Sequence, residues 1–251
     1  MRTVFKDTFS LYTLYHIGGF ILKKIVGGLL LSLSAVTLMA CSGGLDNTGK
    51  ETSKDSNAAT SSSAIEPVDE NYVEKGKLLE VGQWTDDEGY GGKITLAKLA
   101  SPKETIQILD GFSILINDIK ILEYSEVDQN LLESDVSDGF IPENSLTEDG
   151  FYTIQIDYVV TNDTDNALDF YGLNYIVTDQ GQQIDVMMDN LNYSNTTTFQ
   201  PNTKVEDYIV APINAEAMSD LSKVTLTTSE LWDESDGSQL VDEKSIEVNF
   251  N

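Results

Sequence analysis

Short runs of alternating apolar and polar residues fill the chain from about residue 77 onward. Period-two runs rich in β-branched and aromatic residues predict half-buried β-strands. Turn-forming pairs such as Asp110-Gly111 and Asp236-Gly237 separate the runs. The predicted strands are Ile94–Leu99, Phe112–Tyr124, Tyr152–Val160, Ala167–Thr178, Gln183–Met188, Lys204–Ala211, Val224–Thr227 and Ser245–Phe250.

This pattern predicts an all-β domain over residues 77–251. Several short strands with turns between them, and no long stretch of helical period, are typical of an antiparallel β-sandwich. The only helical candidate is the short segment Asn214–Leu221. A solute-binding lipoprotein with two α/β lobes is disfavoured, because the helices it would need are missing.

Residues 1–40 differ from the rest of the chain. The stretch Ile25–Ala40 is apolar, and Lys23 and Lys24 precede it. A positively charged start followed by an apolar stretch of this length is typical of a secretory signal peptide and is short for a membrane span. We therefore predict that residues 1–40 are a leader.

The leader ends in Leu38-Met39-Ala40-Cys41, followed by Ser42. This resembles the bacterial lipobox, in which the cysteine receives a diacylglyceryl group and a signal peptidase cuts before it. The resemblance implies lipidation of Cys41 and attachment to the extracellular face of the cell membrane. The alternative is an unmodified cysteine in a transmembrane helix.

Residues 1–21 do not fit this leader, because they contain Asp7 and scattered aromatics. Leu22 could be encoded by a TTG start codon. The codons for Gly18-Gly19 could then supply a purine-rich ribosome-binding sequence. We predict a start at Leu22, which gives a leader beginning Met-Lys-Lys-Ile; the alternative is a long positively charged region.

A polar segment follows the lipobox. From Ser42 to Ala64 the only large apolar residue is Leu45. Such a composition buries too little apolar surface to offset the entropy lost on ordering. Residues 41–76 are therefore predicted to be a lipidated, disordered tether.

The charge of the chain restricts its partners. It holds 15 Lys and Arg against 42 Asp and Glu, for a net charge of −27. Such a surface repels nucleic acid and anionic lipid headgroups. Membrane attachment must therefore be covalent, and a basic or cation-bridged partner suits the charge better.

The chain also lacks several catalytic residue types after the leader. The only His is His16, the only Arg is Arg2 and the only Cys is Cys41. A processed chain therefore has no Ser-His-Asp or Cys-His site, no His-ligated zinc and no structural disulfide. Carboxylates, Lys, Tyr and hydroxyls remain.

The segment Ser125–Gly150 is rich in acids and has no Lys. Long loops are often functional, and oxygen-rich loops can hold Ca²⁺. An EF-hand pattern fails, since Gly139 at its sixth position places Val136 at a ligand position. We therefore predict a solvated acidic loop with no metal site and no cofactor; weak Ca²⁺ binding is the alternative. The candidate binding residues are Glu133, Asp135, Asp138, Glu148 and Asp149.

The strand and turn pattern of residues 80–213 carries a family resemblance. Tyr152–Asn162 ends in the turn Asp163-Thr164-Asp165, and Tyr175–Asp179 runs into a turn at Gly181. This resembles the Ig-like domain of Gram-positive surface lipoproteins, which is similar in fold to a secreted mycobacterial immunoprotective antigen. The resemblance implies an Ig-like β-sandwich and provides no catalytic residues.

The sequence therefore favours a non-enzymatic surface lipoprotein whose Ig-like domain binds or scaffolds a protein or cell-wall partner. The alternative is a hydrolase that cleaves wall polysaccharide with paired carboxylates, which needs no His. Four aromatic residues could stack on sugar rings in that case, although aromatics at strand spacing usually belong to a core: Trp84, Tyr90, Tyr171 and Tyr193.

Overall fold

A computed structural model describes residues 69–74, 76–192 and 196–250. The predicted leader, Cys41 and most of the predicted tether lie outside these residues. Fourteen strands are present in the described part of the chain. They are β1 (Trp84–Asp86), β2 (Lys93–Ala100), β3 (Glu104–Leu109), β4 (Phe112–Ser125), β5 (Phe151–Asn162), β6 (Leu168–Phe170), β7 (Leu173–Thr178), β8 (Gln183–Asp185), β9 (Thr198–Phe199), β10 (Thr203–Pro212), β11 (Lys223–Thr228), β12 (Leu231–Asp233), β13 (Gln239–Val241) and β14 (Ser245–Asn249).

One layer is a six-stranded antiparallel sheet in the order β1-β2-β4-β5-β10, with β3 also paired to β4. The 14-residue strand β4 is its longest member. β3 pairs with the first half of β4 and β2 pairs with the second half, on either side of a bulge between Ile116 and Asp118. β4 and β10 flank β5 over most of its length.

The second layer consists of two four-stranded sheets, in the orders β14-β11-β7-β8 and β13-β12-β6-β9. The chain passes from one sheet to the other at Gly172, between β6 and β7, and at Ser229, between β11 and β12. At these crossings the Ser229 amide donates to the Gly172 carbonyl at 2.8 Å, and the Tyr171 amide donates to Ser229 Oγ at 2.9 Å. These two bonds join the sheets.

The main core lies between the two layers. Alternation along β4 and β5 turns isoleucines inward, and Ile114, Ile116, Ile154 and Ile156 are fully buried. Apolar residues of the second layer pack against them and include Phe170, Leu173, Ile176, Val224, Leu226 and Leu231. The predicted all-β antiparallel sandwich is therefore confirmed.

Most predicted strands are present within one or two residues of their expected bounds. The stretch Ala167–Thr178 forms two strands, β6 and β7, because the left-handed Gly172 (φ 80°) breaks it. The stretch Gln183–Met188 is a strand only in its first half and continues as a one-turn helix, α2 (Val186–Asp189), which Asp185 caps through the Met187 amide. The helical candidate Asn214–Leu221 is reduced to a 3₁₀ turn, Ala215–Ala217.

The acidic segment Ser125–Gly150 contains structure that the sequence did not predict. It forms the nine-residue helix α1 (Gln129–Ser137) and a 3₁₀ turn, Glu143–Ser145. Asp128 caps α1 by accepting from the Asn130 amide, and Leu132 is buried beneath it. The segment is therefore a small satellite fold with its own apolar cluster, Val127, Leu132, Ile141 and Phe151.

Candidate groove on the outer face of the six-stranded sheet

The outer face of the six-stranded sheet carries the candidate site. Cross-strand register places its outward side chains in rows: Asp118 lies opposite Asp157, and Lys120 lies opposite Gln155. The inward neighbours on the same strands are isoleucines, because successive side chains of a strand point to opposite faces. Polar residues are thus concentrated on the outer face at the centre of the sheet.

Lys120 is the centre of this polar cluster. Only 4% of it is exposed, and its Nζ lies 3.3 Å from Asp157 Oδ2. Gln155 Nε2 donates to the other Asp157 oxygen at 2.8 Å. Both oxygens of Asp157 are therefore engaged, and the buried ammonium has a counterion, which burial of a charge requires.

A second carboxylate supports the cluster. Asp118 accepts hydrogen bonds from Ser101 Oγ at 2.6 Å and from Lys103 Nζ at 2.9 Å. Burial opposes the ionisation of Asp118, but these bonds and the nearby Lys120 outweigh it and hold the pKa of Asp118 below its ordinary value. Asp118 is therefore a stable anion beside the buried lysine.

A groove of about 490 Å³ opens above this floor. Its apolar end is formed by Leu78, Ile94 and Leu122, and its polar end by Asp157, Glu206 and Tyr208. Tyr208 is 45% exposed. Ligand pockets in proteins have volumes of roughly 300–1,000 Å³, so the groove is large enough for a small molecule.

The junction between the predicted tether and the predicted domain forms one wall of the groove. Gly76 lines it, as do the adjacent Lys77 and Leu78, and Leu78 is buried against Leu96 and Leu122. The preceding residues are also held on the domain. Tyr72 pairs with Trp84 in a parallel bridge, and their rings lie 4.7 Å apart. Residues 69–74 are thus part of the folded unit.

The five predicted binding residues do not line this groove. Glu133, Asp138, Glu148 and Asp149 are exposed on the acidic segment. Asp135 is half-buried and accepts a hydrogen bond from Tyr90 Oη at 2.5 Å. Within the described ranges, no three acidic side chains lie together as a group that could hold a metal ion. In the structure, Asp138 is therefore the C-cap residue of α1, Asp135 is a hydrogen-bond partner of Tyr90, and the other three face solvent.

The predicted sugar-stacking aromatics are also dispersed. Tyr90 packs edge-on against Tyr124 and Phe151, and Tyr124 stacks on Phe151 with centroids 4.5 Å apart. Burial raises the pKa of Tyr124 to about 12; burial and the Asp135 carboxylate together raise the pKa of Tyr90. Trp84 is half-buried under Tyr72, Tyr171 is exposed at the crossing beside Gly172, and Tyr193 lies outside the described residues.

The sequence did not single out Lys120, Asp157 or Glu206, which do line the groove. A signal was present for the first two, because each is a charged residue inside a strand that is otherwise strongly apolar: Ile119-Lys120-Ile121 and Ile156-Asp157-Tyr158. Glu206 has no such signal, because it is one of three charged residues in the first half of β10, together with Lys204 and Asp207.

The comparisons with known proteins find solved structures of low sequence identity. No protein-family model and no curated sequence matches the chain. A functionally unknown protein from Listeria monocytogenes EGD-e is similar in structure, with 14% identity, a TM-score of 0.45, and coverage of 64% of this chain and 88% of that one. A conserved hypothetical protein from Bacillus anthracis has 13% identity, a TM-score of 0.34, and coverage of 57% and 95%.

In the part of the chain that the structure describes, none of the helices has the length and apolar character that a membrane span requires.

Proposed function

We propose that the protein is an extracytoplasmic lipoprotein, held on the cell membrane by diacylglyceryl-Cys41, whose β-sandwich binds a ligand in the outer groove. The lipobox at residues 38–41 supports the anchor. The groove over the Lys120–Asp157 pair is the observation that supports ligand binding. We also propose that this β-sandwich is Ig-like, because the strand and turn pattern of residues 80–213 resembles the Ig-like domains of surface lipoproteins.

The composition of the groove favours binding. Its walls are apolar at one end, and a few oriented polar groups stand at the other, which is the usual arrangement of a ligand site. The hydrogen bonds of Gln155 and Lys120 to Asp157 hold the floor in one geometry. A rigid floor lowers the entropy cost of binding, because fewer side chains have to be ordered by the ligand.

The same contacts argue against the alternative, a hydrolase that uses two carboxylates. A general acid or nucleophile in such an enzyme needs a carboxylate that faces the scissile bond. Of the three carboxylates that line the groove, Asp157 and Asp207 already accept hydrogen bonds at both oxygens. Glu206 is then a single carboxylate where a two-acid mechanism needs a pair. We therefore favour binding over catalysis.

Filling the groove tests the proposal. Thr85 lines its apolar end opposite Ile94, and Thr85→Trp would occupy that space. After equilibrium dialysis of the full-length protein against a small-molecule extract of the cell envelope, we expect mass spectrometry to find a compound retained by the wild type. The Thr85→Trp variant should retain about tenfold less, which corresponds to about 1.4 kcal/mol of binding free energy.

Thr225→Trp is the matched control, since Thr225 is also a half-buried strand threonine but lies in the second layer. It should retain as much compound as the wild type. Equal retention by all three proteins, or none by the wild type, would refute binding in the groove. Cleavage of muropeptides by the wild type and not by Asp157→Asn would support the hydrolase instead.

A further inference from the structure

The two ends of the groove differ in polarity, and this difference restricts the ligand. Leu78, Ile94 and Leu122 line one end, and Leu122 and Leu78 are almost fully buried. Glu206 and Tyr208 line the other end. A ligand that fits both ends has an apolar stem and one polar head.

The charge of the lining favours a cationic head. Two lysines, Lys77 and Lys120, contribute to the groove, against the three carboxylates Asp157, Glu206 and Asp207. Lys120 is already compensated by its ion pair with Asp157, and Lys77 is exposed to solvent at the rim. The whole chain carries −27, so the surrounding field also attracts cations.

Glu206 is the carboxylate available to such a head. Asp207 accepts hydrogen bonds from the Tyr208 amide and from Tyr158 Oη. Glu206 is exposed, and no side chain or amide in the described ranges donates a hydrogen bond to it. It lies two residues before Tyr208 on β10, and residues two apart on a strand share a face.

Tyr208 adds a second attraction for a cation. A tyrosine ring attracts an ammonium group through the negative potential over its face. Tyr208 is 45% exposed, and its Cα lies directly opposite that of Asp157 on the neighbouring strand. An ammonium at this end would therefore have an aromatic neighbour as well as a carboxylate.

We propose that the groove binds an alkylammonium group, with the ammonium at Glu206 and Tyr208 and the methylene stem along Leu78, Ile94 and Leu122. The inference rests on the proposed function in taking the groove as the ligand site. The group could belong to a free amine or to a lysine side chain, because both present the same chemistry.

The proposal can be tested by titrating the full-length protein with hexylamine. The protein is purified in neutral detergent for this experiment. Hexanol and hexanoate have the same stem with a neutral and an anionic head. We expect NMR-monitored binding to rank hexylamine above hexanol and hexanol above hexanoate. Glu206→Gln should weaken hexylamine binding about fivefold, the size expected for one partly exposed charge contact.

Glu247→Gln is the control, because it removes the same charge from an exposed strand position in the second layer. It should leave the affinity for hexylamine unchanged. Binding of Nα-acetyl-lysine amide as tight as that of hexylamine would point to a lysine side chain, and weaker binding to a free amine. Equal affinity for the three hexyl compounds, or equal effects of the two variants, would overturn the proposal. The dialysis experiment with the Thr85→Trp variant tests whether the groove binds any ligand, so it separates failure of the proposed function from failure of the alkylammonium proposal.

Discussion

Replacement of Asn162 by Asp is expected to lower the free energy of unfolding by about 4 kcal/mol or more. Asn162 is fully buried at the end of β5, where it lies opposite both Phe112 of β4 and Thr203 of β10. Its Nδ2 donates to three backbone carbonyls, at 2.9 Å, 2.9 Å and 3.2 Å, which belong to Asn166, Phe199 and Gln200.

Asn162 Oδ1 accepts in turn from the Thr164 amide at 3.0 Å and from Thr164 Oγ1 at 2.7 Å. A carboxylate at this position keeps the second set of bonds but has no donor for the three carbonyls. It would therefore bury a negative charge beside unsatisfied oxygens, which costs more than the loss of the bonds alone.

Urea unfolding of the Asn162→Asp variant measures this effect. Asn144→Asp adds the same charge at an exposed position in the 3₁₀ turn and should change stability by less than about 0.5 kcal/mol. Asn162→Ala should be destabilising too, but by less than Asn162→Asp, since it adds no charge. Similar stabilities for the variants at positions 162 and 144 would show that the Asn162 bonds do not hold the turn.

The second large effect is expected from Gly150→Ala. Gly150 is buried directly before β5, and a Cβ atom built on it would lie only 1.8 Å from the Tyr124 carbonyl oxygen and 2.7 Å from the Tyr124 carbonyl carbon. The obstacle is backbone within β4, so no rotamer change relieves it. Separation of the two strands at this point should cost about 3 kcal/mol or more.

Gly89→Ala is the control for Gly150→Ala. The nearest atom to a Cβ at Gly89 is Asp87 Oδ1 at 3.4 Å, an ordinary contact with a side chain. Thermal unfolding should show a large decrease in midpoint for the variant at 150 and a small change for the variant at 89. Equal midpoints would mean that β4 and β5 do not approach as closely at Gly150 as the structure has them.

The sandwich could be predicted because its strands carry their own signal. β4 and β5 alternate isoleucine with polar residues, and burial of one face requires that pattern. The turn after Asn162 was also visible in the sequence, since Asn-Asp-Thr-Asp offers side chains that bond to nearby backbone. Local patterns of this kind need no knowledge of distant contacts.

The helix α1 could not be predicted from the same rules. Its sequence, Gln129–Ser137, has a weak apolar stripe, and Leu132 is its only buried residue. Leu132 stabilises the helix by packing in a cluster with residues outside it, such as Ile141 and Phe151. Tertiary packing of this kind determines the helix more than propensity does.

The groove depends on contacts between distant parts of the chain. Lys120 and Asp157 are charged residues in apolar strands, but only the register of β4 with β5 brings them together. Leu78 forms part of one wall although it lies at the very start of the predicted domain, before the first predicted strand. With 42 carboxylic acid side chains in the chain, the sequence pointed to the acid-rich segment instead, whose residues do not line the groove.

We propose that this protein is a lipid-anchored binding module outside the cell. The most direct test is to isolate the protein from its own membranes and measure the mass of its amino-terminal peptide. We expect a peptide that begins at Cys41 and carries a diacylglyceryl group on Sγ. An unmodified Cys41 with residues 22–40 still attached would contradict the anchor and the exterior location together.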